Sequence, residues 1–324
     1  MTTFETFLEG QKNAGLSDDL VAVIREIAQA TRTISDTLKT SSLDGLTGAT
    51  EETNVQGETQ KPLDILSNDI ILDACRKLPS VSFAVSEELD AEVAIHADGK
   101  YAVIFDPLDG SSNLDVNVTV GTIFSVIEAK TAADILKSGR HQLVAGYAAY
   151  GPQTTLVLTI VNGGGKGVQI FTLNAEGTYV LTTADAKIVP EAKEFAINAA
   201  RRASWDDVVS AYIEDAIDTG HNMRWVGSMV ADTHRIFNRG GVFLYPADRN
   251  KPASGGRLRL LYEANPIGLL VEAAGGEAII GATKILDIEP TGLHQRVPVI
   301  FGSKAEVDKL AAGYAARVLE AAAE

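Results

Sequence analysis

The sequence contains one cysteine among its 324 residues, Cys75. A single thiol cannot form an internal disulfide, so a reducing compartment is the simplest expectation. Cys75 lies beside the apolar positions of a helical pattern that runs from Leu63 to Leu78. Because no histidine is matched to it, we predict a core residue rather than a nucleophile.

Positive charge is also scarce. The chain has 28 lysine and arginine residues against 43 aspartate and glutamate residues, a formal net charge of −15. This excess of acid argues against nucleic acid or an anionic membrane as the main partner. No stretch approaches the roughly 18 apolar residues of a membrane span, and residues 1–10 show no signal peptide. We therefore expect a cytoplasmic protein.

The first half of the chain alternates between helical and strand patterns. A helix is predicted over 17–40 with Ser17 as N-cap, and a second over 62–78. Alternating apolar runs bounded by turn signals predict strands. They are 81–86, 100–105, 119–129, 143–150, 154–162, 167–173 and 178–183.

The second half, from about residue 190, carries signals of further helices. We predict helix starts at a capping box of Ser204 and Asp207, at Ser228, at Asn265 and at Ser303. Helices and strands mixed throughout a chain of this length indicate an α/β layered protein.

Residues 41–61 break the periodicity and are rich in Gly, Thr, Ser and Glu. Loops of about 20 residues inside a compact chain are usually functional or disordered. We favour a mobile lid here over a passive linker.

The segment FDPLDGSSN, residues 105–113, carries the most chemical information. Asp106 and Asp109 lie at the predicted end of a strand, and Pro107 between them favours a turn. Two neighbouring carboxylates repel each other unless a cation neutralises them, and Mg²⁺ prefers oxygen ligands. The small residues from Gly110 onward expose backbone N–H groups that can bind a phosphate. The segment therefore offers metal ligands and phosphate donors together, as metal-assisted phosphate-ester hydrolysis requires.

An Asx turn without function is the alternative for this segment. Further acids at the ends of predicted elements favour the functional interpretation, because open α/β sheets place their sites at such ends. They are Asp64, Glu87, Glu88 and Glu263.

Seven segments in order resemble class 1 fructose-1,6-bisphosphatases. The resemblance spans about residues 60–303, whereas inositol monophosphatases of the wider superfamily share chiefly the DPxDG core. The segments are SEE (86–88), FDPLDGSSN (105–113), VGTIFSV (120–126), RWVGSMVADTHR (224–235), GGVFLYPAD (240–248), GRLRLLYEANP (256–266) and LHQRVPVIFGS (293–303).

The resemblance implies hydrolysis of D-fructose 1,6-bisphosphate to fructose 6-phosphate and phosphate in carbohydrate biosynthesis. It implies two or three Mg²⁺ ions per subunit, with Mn²⁺ as an alternative, and Glu88 with Asp64 as the base that accepts a proton from water. The implied metal ligands are Glu87, Asp106, the carbonyl of Leu108, Asp109 and Glu263.

The resemblance also implies the residues that bind the sugar bisphosphate. Arg224 would reach the distal phosphate from a neighbouring subunit. The implied set is Asp109, Gly110, Ser111 and Ser112 at the 1-phosphate, Asn198, Arg224, Tyr245 and Arg257 at the other phosphate, and Met229 and Arg259 at the sugar.

Three positions around the distal phosphate depart from the family pattern. Arg257 stands where the family commonly has lysine, Trp225 where it has tyrosine, and Arg201 where it has a phosphate-facing tyrosine. A pocket with Arg201 and Arg257 could accept a longer sugar, so sedoheptulose-1,7-bisphosphatase activity is the alternative assignment. A catalytically dead binding homologue is disfavoured, because every implied metal ligand and base is present.

The family's AMP-binding loop is changed as well. Where AMP-inhibited members have a Gly-Thr-Gly-Glu loop, residues 16–19 include Asp18 and Asp19, although Lys100 and Tyr101 of the other half are retained. We therefore predict weak or absent inhibition by AMP.

The resemblance implies a layered α/β/α/β/α sugar-phosphatase fold with two lobes, usually assembled as a homotetramer. We expect an N-terminal lobe over residues 1–189 with the metal and phosphate motifs. We expect the sugar-phosphate-binding lobe over residues 190–324.

Overall fold

The computed structural model describes residues 1–46, 48, 61–164, 167–249 and 255–323, with side chains through residue 319. Most of the predicted lid at 41–61 lies outside the described residues. The α-helices in the described part are α1 (Phe4–Asn13), α2 (Asp18–Thr40), α3 (Pro62–Arg76), α4 (Asp207–Asp218), α5 (Met229–Arg239), α6 (Asn265–Ala273) and α7 (Lys304–Ala323).

The first eight strands form one sheet in the order β2-β1-β3-β4-β5-β6-β7-β8. Its neighbouring strands pair antiparallel except for β1 and β3, which are parallel. The strands are β1 (Val81–Ser86), β2 (Val93–Ala94), β3 (Tyr101–Asp109), β4 (Val120–Glu128), β5 (Gln142–Tyr150), β6 (Thr154–Ile160), β7 (Val168–Leu173) and β8 (Tyr179–Ala186).

The second sheet has six strands in the order β10-β9-β11-β16-β13-β14, and β12 and β15 form a separate antiparallel ribbon. These strands are β9 (Glu194–Ala196), β10 (Asn222–Met223), β11 (Val242–Tyr245), β12 (Leu258–Arg259), β13 (Glu277–Ile280), β14 (Thr283–Lys284), β15 (Arg296–Val297) and β16 (Val299–Gly302).

Five layers follow from how the apolar faces pack. Helices α1, α2 and α3 share a core with one face of the eight-stranded sheet. Helices α5 and α6 fill the space between the two sheets, and α4 and α7 cover the outer face of the six-stranded sheet. A sheet buries its apolar faces against such helices, which gives the predicted α/β/α/β/α order.

The predicted helix at 17–40 is confirmed as α2, and Ser17 caps it by accepting a hydrogen bond from the Leu20 N–H at 3.2 Å. Helix α1 was not predicted. Thr3 caps it, and its buried face of Phe4 and Leu8 packs on the sheet. Thr3 as the cap and the helical spacing of Phe4, Phe7 and Leu8 are the signals that could have predicted it.

Three boundary predictions are wrong. Strand β3 continues through Asp109 rather than ending at Asp106. Helix α4 is capped by the Asp206 carboxylate, which accepts from the Val209 N–H, so Ser204 does not begin it. Asn265 is not a cap, because a π-helical turn, Leu260–Ala264, leads directly into α6.

None of the helices in the described ranges has both the length and the apolar character that crossing a membrane needs.

Candidate active site

A bulge in β3 places Asp106 and Asp109 on the same side of the sheet. In a regular strand, residues three apart point to opposite faces. Here Asp106 pairs with Ile123 and Asp109 pairs with Gly121, so β3 contains one more residue than β4 between these two pairs. The Leu108 N–H donates to an Asp106 carboxylate oxygen at 2.9 Å, which closes the bulge. The extra residue therefore turns both carboxylates to one site.

Glu263 on the π-helical turn completes a cluster of buried acids. One oxygen atom from each of Asp106, Asp109 and Glu263 lies within 4.8 Å of the others. Glu87, just after β1, is buried beside them and forms a hydrogen bond with the Asp106 side chain. We call Glu87, Asp106, Asp109 and Glu263 the acid cluster.

The electrostatics of the acid cluster favour a bound cation. Burial raises the pKa of Asp106 well above its usual range, and the charges of Glu87, Asp109 and Glu263 raise it further. Burial also raises the pKa of Asp109 and of Glu263. Like charges this close in a buried site are unfavourable unless protons or cations neutralise them. Because every side-chain donor is a carboxylate oxygen, the cluster fits a hard divalent cation such as Mg²⁺.

Arg259 on β12 supplies part of the neutralising charge. Its Nη2 lies 2.9 Å from Glu87 Oε1, and its Nη1 lies 3.9 Å from Glu263 Oε2. The guanidinium opposes the rise of the Glu263 pKa. The resemblance implied a role for Arg259 at the sugar, and no local pattern predicted this ion pair, since residues 87 and 259 are far apart in the chain.

The N-terminus of α5 also holds one of the acids. Asp109 Oδ2 accepts hydrogen bonds from the Ser228 hydroxyl at 2.7 Å and the Val230 N–H at 2.8 Å. These donors lower the pKa of Asp109 against the effect of burial. A helix N-terminus stabilises negative charge, so α5 favours the deprotonated form of Asp109, which accepts these hydrogen bonds. The bond from Ser228 was also missed, although Ser228 was correctly predicted as the N-cap.

The backbone after Asp109 turns sharply into a short 3₁₀ helix, Ser111–Val116, with Gly110 as its cap. Gly110 has φ of 75°, and a Cβ there would lie 2.6 Å from the Ser228 Cβ. Only glycine meets both conditions without strain. The turn exposes the start of the 3₁₀ helix beside the acid cluster, where an anion can approach its N–H groups.

Asp64 and Glu88 lie close enough to influence each other across the site. Asp64 is 4% exposed in α3, and its Oδ2 accepts from the Lys61 N–H at 2.8 Å. Burial raises the pKa of Asp64 to about 6, helped by the charge of Glu88 and opposed by the Lys61 N–H. Asp64 can therefore exchange a proton near neutral pH.

A cleft of about 400 Å³ opens above the acid cluster. Trp225, Phe243 and Tyr245 form an aromatic wall, with the Trp225 and Phe243 rings stacked at 5.8 Å. Asp64 is not among the residues that line the cleft within the described part of the chain. The predicted residues that line it are Glu87, Glu88, Asp106, Leu108, Asp109, Gly110, Ser111, Ser112, Asn198, Met229, Tyr245, Arg257, Arg259 and Glu263.

Arg224 is the predicted substrate-binding residue that the structure does not bring to this cleft, as far as the described residues go. Its side chain is 48% exposed, and its Nε lies 3.8 Å from Glu194 Oε1. Glu194 is 8% exposed and also pairs with Arg235 and Arg239 of α5. Three guanidinium groups therefore surround one buried carboxylate at the start of β9.

Comparisons with known proteins agree with this architecture. The family model of the fructose-1,6-bisphosphatase N-terminal domain matches residues 1–184, and the C-terminal domain model matches residues 188–315. A class 1 fructose-1,6-bisphosphatase of Acinetobacter baumannii is 47% identical over 320 residues, which cover 95% of this chain and 98% of the relative. One of Shewanella oneidensis is 46% identical over 316 residues, covering 94% and 96%.

A solved structure, the fructose-1,6-bisphosphatase of Leishmania major, is 34% identical to this chain. It superposes with a TM-score of 0.89, covering 96% of this chain and 98% of that chain. The five layers and the acid cluster define a phosphatase of the sugar-phosphatase type. Within that class, the chain belongs to the class 1 fructose-1,6-bisphosphatase family.

Proposed function

We propose that this protein hydrolyses D-fructose 1,6-bisphosphate to fructose 6-phosphate and inorganic phosphate. The observation that carries the proposal is the buried acid cluster at the floor of a cleft that a sugar bisphosphate can enter. The curated relatives are named for this substrate, which supports the same activity here.

We propose that two to three Mg²⁺ ions are held at the acid cluster by Glu87, Asp106, Asp109, Glu263 and the Leu108 carbonyl. When bound, Mg²⁺ supplies Lewis-acid stabilisation of the phosphoryl oxygens, and Mn²⁺ is an alternative ion. The raised pKa values of the buried carboxylates support this assignment, because a bound cation would stabilise the charged forms that burial and mutual repulsion disfavour.

The remaining roles follow from what each side chain can do. The N–H groups after Gly110 orient the 1-phosphate, with Ser111 and Ser112. Asp64 and Glu88 accept the proton of the attacking water, which suits the Asp64 pKa of about 6. The ester of the 1-phosphate is the one hydrolysed, because the 1-phosphate lies against the acid cluster, while the distal phosphate lies at the other end of the cleft.

At that end we propose Asn198, Tyr245 and Arg257 as ligands of the distal phosphate, with Met229 and Arg259 nearer the sugar. Arg224 does not line the cleft of its own chain among the described residues, which supports a role at the site of a neighbouring subunit. We propose a homotetramer by resemblance, and a contact of Arg224 across subunits would need at least a dimer. We also propose lobes at 1–189 and 190–324, a cytoplasmic location and a place in carbohydrate biosynthesis, either gluconeogenesis or the Calvin cycle.

We further propose weak AMP inhibition. Lys100 Nζ lies 2.9 Å from Asp19 Oδ2, and the Tyr101 hydroxyl lies 3.0 Å from Ser17 Oγ. The groups that would meet a nucleotide phosphate therefore already have partners on α2, and Asp19 would repel an anion.

Phosphate release from a panel of sugar mono- and bisphosphates, with Mg²⁺ and with a chelator, tests the proposal. We expect fructose 1,6-bisphosphate to be hydrolysed only with the metal, and far faster than any monophosphate. Asp106→Asn should lose the activity, whereas Asp73→Asn, at an exposed carboxylate paired with Arg76, should retain it. Equal rates on inositol monophosphate, or hydrolysis that survives in Asp106→Asn, would contradict the assignment.

A further inference from the structure

A histidine outside the cleft joins two segments that carry parts of the acid cluster. His294 lies just before β15 and is partly buried. Its Nδ1 lies 2.9 Å from the Tyr262 hydroxyl oxygen, and its Nε2 lies 3.3 Å from the Asp90 carbonyl oxygen. Tyr262 directly precedes Glu263 on the π-helical turn. Asp90 belongs to residues 87–92, which connect β1 to β2 and begin with Glu87. We call residues 87–92 the β1–β2 turn.

The two contacts of His294 fix the tautomer of its ring. A carbonyl oxygen can only accept a hydrogen bond, so Nε2 carries the proton and donates to Asp90. In the neutral imidazole Nδ1 is then the acceptor, and the Tyr262 hydroxyl donates to it. Two hydrogen bonds therefore run in one direction from the π-helical turn to the β1–β2 turn. We call the Tyr262 hydroxyl, the His294 ring and the Asp90 carbonyl the histidine bridge.

The surrounding fold holds His294 in place. The Leu260 N–H donates to the Gln295 carbonyl at 2.8 Å, which extends the β12–β15 ribbon to the residue after His294. On the other side, Leu293 packs on the apolar cluster that contains Tyr262. The Tyr262 ring is fully buried and lies edge-on to the His294 ring, with the ring centroids 5.8 Å apart. The bridge is therefore anchored at the end that carries the π-helical turn.

The other end of the bridge holds a segment with two of the site's acids. Burial raises the pKa of Tyr262, and the charges of Glu87 and Glu263 raise it further, so this hydroxyl lies near both acids. Glu87 has another anchor, because Arg259 Nη2 lies 2.9 Å from its Oε1. Glu88 follows Glu87 in the β1–β2 turn and lines the cleft. A bond between the turn and the π-helical turn therefore helps to set where Glu88 stands relative to the acid cluster.

We propose that His294 is a positioning residue, which holds Glu87 and Glu88 at a fixed distance from Glu263 through the histidine bridge. The proposal rests on the proposed function for what these acids do, namely metal binding and proton acceptance. Within the described part of the chain, neither Tyr262 nor His294 lines the cleft, so His294 acts through the β1–β2 turn rather than on the substrate. Removing groups that orient the residues of a metal site typically costs about 10–100-fold in affinity or activity.

Two substitutions of His294 separate the two ends of the bridge. Glutamine places an amide nitrogen near the position of Nε2, so His294→Gln should keep the bond to Asp90. Asparagine is shorter and places its amide near Nδ1, so His294→Asn should lose that bond. His96→Asn is the control, because His96 Nε2 makes a bond of the same kind, 3.0 Å from the Arg76 carbonyl oxygen at the end of α3.

Kinetics with fructose 1,6-bisphosphate at saturating Mg²⁺ give the first readout. In His294→Asn, kcat should fall about tenfold or more, because Glu88 is no longer held in position, and KM should change little. His294→Gln should retain most of the wild-type kcat, and His96→Asn should match wild type. An unchanged kcat in His294→Asn, or an equal loss in His294→Gln and His294→Asn, would overturn the proposal.

Hydrogen exchange of the metal-free protein in a chelator gives a readout independent of catalysis. In and beside the β1–β2 turn, the Glu87 N–H donates to the Phe105 carbonyl at 3.2 Å and the Leu89 N–H to the Ser86 carbonyl at 3.4 Å. Both amides should exchange about fivefold faster in His294→Asn, a factor typical of one lost hydrogen bond, while the amides of β5 and β6 stay unchanged.

Equal exchange of the turn in wild type and His294→Asn would overturn the positioning role. Faster exchange throughout β5 and β6 would overturn it as well, because it would show a loss of overall stability instead. If wild type does not hydrolyse fructose 1,6-bisphosphate, the proposed function fails, and hydrogen exchange still decides whether His294 holds the β1–β2 turn.

Discussion

The substitution Asp106→Asn should stabilise the metal-free protein while it removes activity. Asp106 is 2% exposed, and its carboxylate lies within 4.8 Å of oxygen atoms of Asp109 and Glu263. Without a cation, the folded protein must either hold these charges together or take up protons. Asparagine has nearly the same shape as aspartate and no charge. The substitution therefore relieves the repulsion without opening a cavity.

The magnitude follows from the geometry. Two unit charges 4.8 Å apart repel by about 3 kcal/mol at an effective dielectric constant near 20. Protonation already relieves part of this repulsion, because burial and the neighbouring acids raise the pKa of Asp106. We therefore expect the free energy of unfolding in a chelator to rise by about 1–3 kcal/mol. With Mg²⁺ at 100 times its Kd, wild type should gain about 2.7 kcal/mol from binding, and the variant much less.

Urea unfolding at pH 7.5, with chelator and with Mg²⁺, measures both effects. Asp73→Asn is the control, because its exposed carboxylate makes an ion pair of the kind that contributes at most about 1 kcal/mol. The electrostatic account would be refuted if metal-free Asp106→Asn were less stable than wild type. Equal stabilisation of both proteins by Mg²⁺ would refute the assignment of Asp106 as a metal ligand.

Three further predictions concern other parts of the chain. Because burial raises the pKa of Asp64 to about 6, Asp64 is deprotonated above that pH, so kcat/KM should rise through pH 6. Asp64→Asn should lower kcat/KM about 100-fold or more and remove the inflection, and an unchanged pH profile in this variant would exclude Asp64 as the base. Because Lys100 pairs with Asp19, micromolar AMP should leave the rate unchanged, and strong inhibition in a titration would contradict this. Glu194→Gln should cost about 2 kcal/mol of unfolding free energy in urea, since it leaves the largely buried Arg235 guanidinium without one of its two carboxylate partners. A loss below about 1 kcal/mol, as expected for the exposed pair with Glu214 removed in Arg202→Ala, would show that the cluster is not structural.

Local signals predicted much of the fold. Ser17 followed by a regular apolar face was sufficient for α2, and alternating runs between turn residues predicted every strand of the first sheet except the two-residue strand β2. The predictions failed where a tertiary contact overrides a local signal. Pro107 favours a turn, yet β3 continues because the Thr122 hydroxyl of the neighbouring strand β4 donates to the Pro107 carbonyl. Asn265 looks like a cap, but the π-helical turn that carries Glu263 leads directly into α6.

The acids of the site could be predicted, but their geometry could not. Carboxylates at element ends indicated a cation site, and the structure brings Asp106, Asp109 and Glu263 together. The bulge that aligns Asp106 with Asp109 depends on pairing with β4, which no local pattern encodes. The ion pair of Arg259 with Glu87 and the bond from Ser228 to Asp109 likewise join distant segments. Such contacts are set by the packing of layers, so they follow from the fold rather than from spacing.

Anomalous diffraction from crystals soaked in Mn²⁺ tests the central claim most directly, because it locates the cation rather than inferring it from activity. The account predicts peaks with carboxylate oxygens of Asp106, Asp109 and Glu263 at coordination distance. Crystals of Asp106→Asn should lose or weaken at least one peak. An acid cluster with no anomalous peak at saturating Mn²⁺, or peaks only at surface carboxylates, would contradict the account.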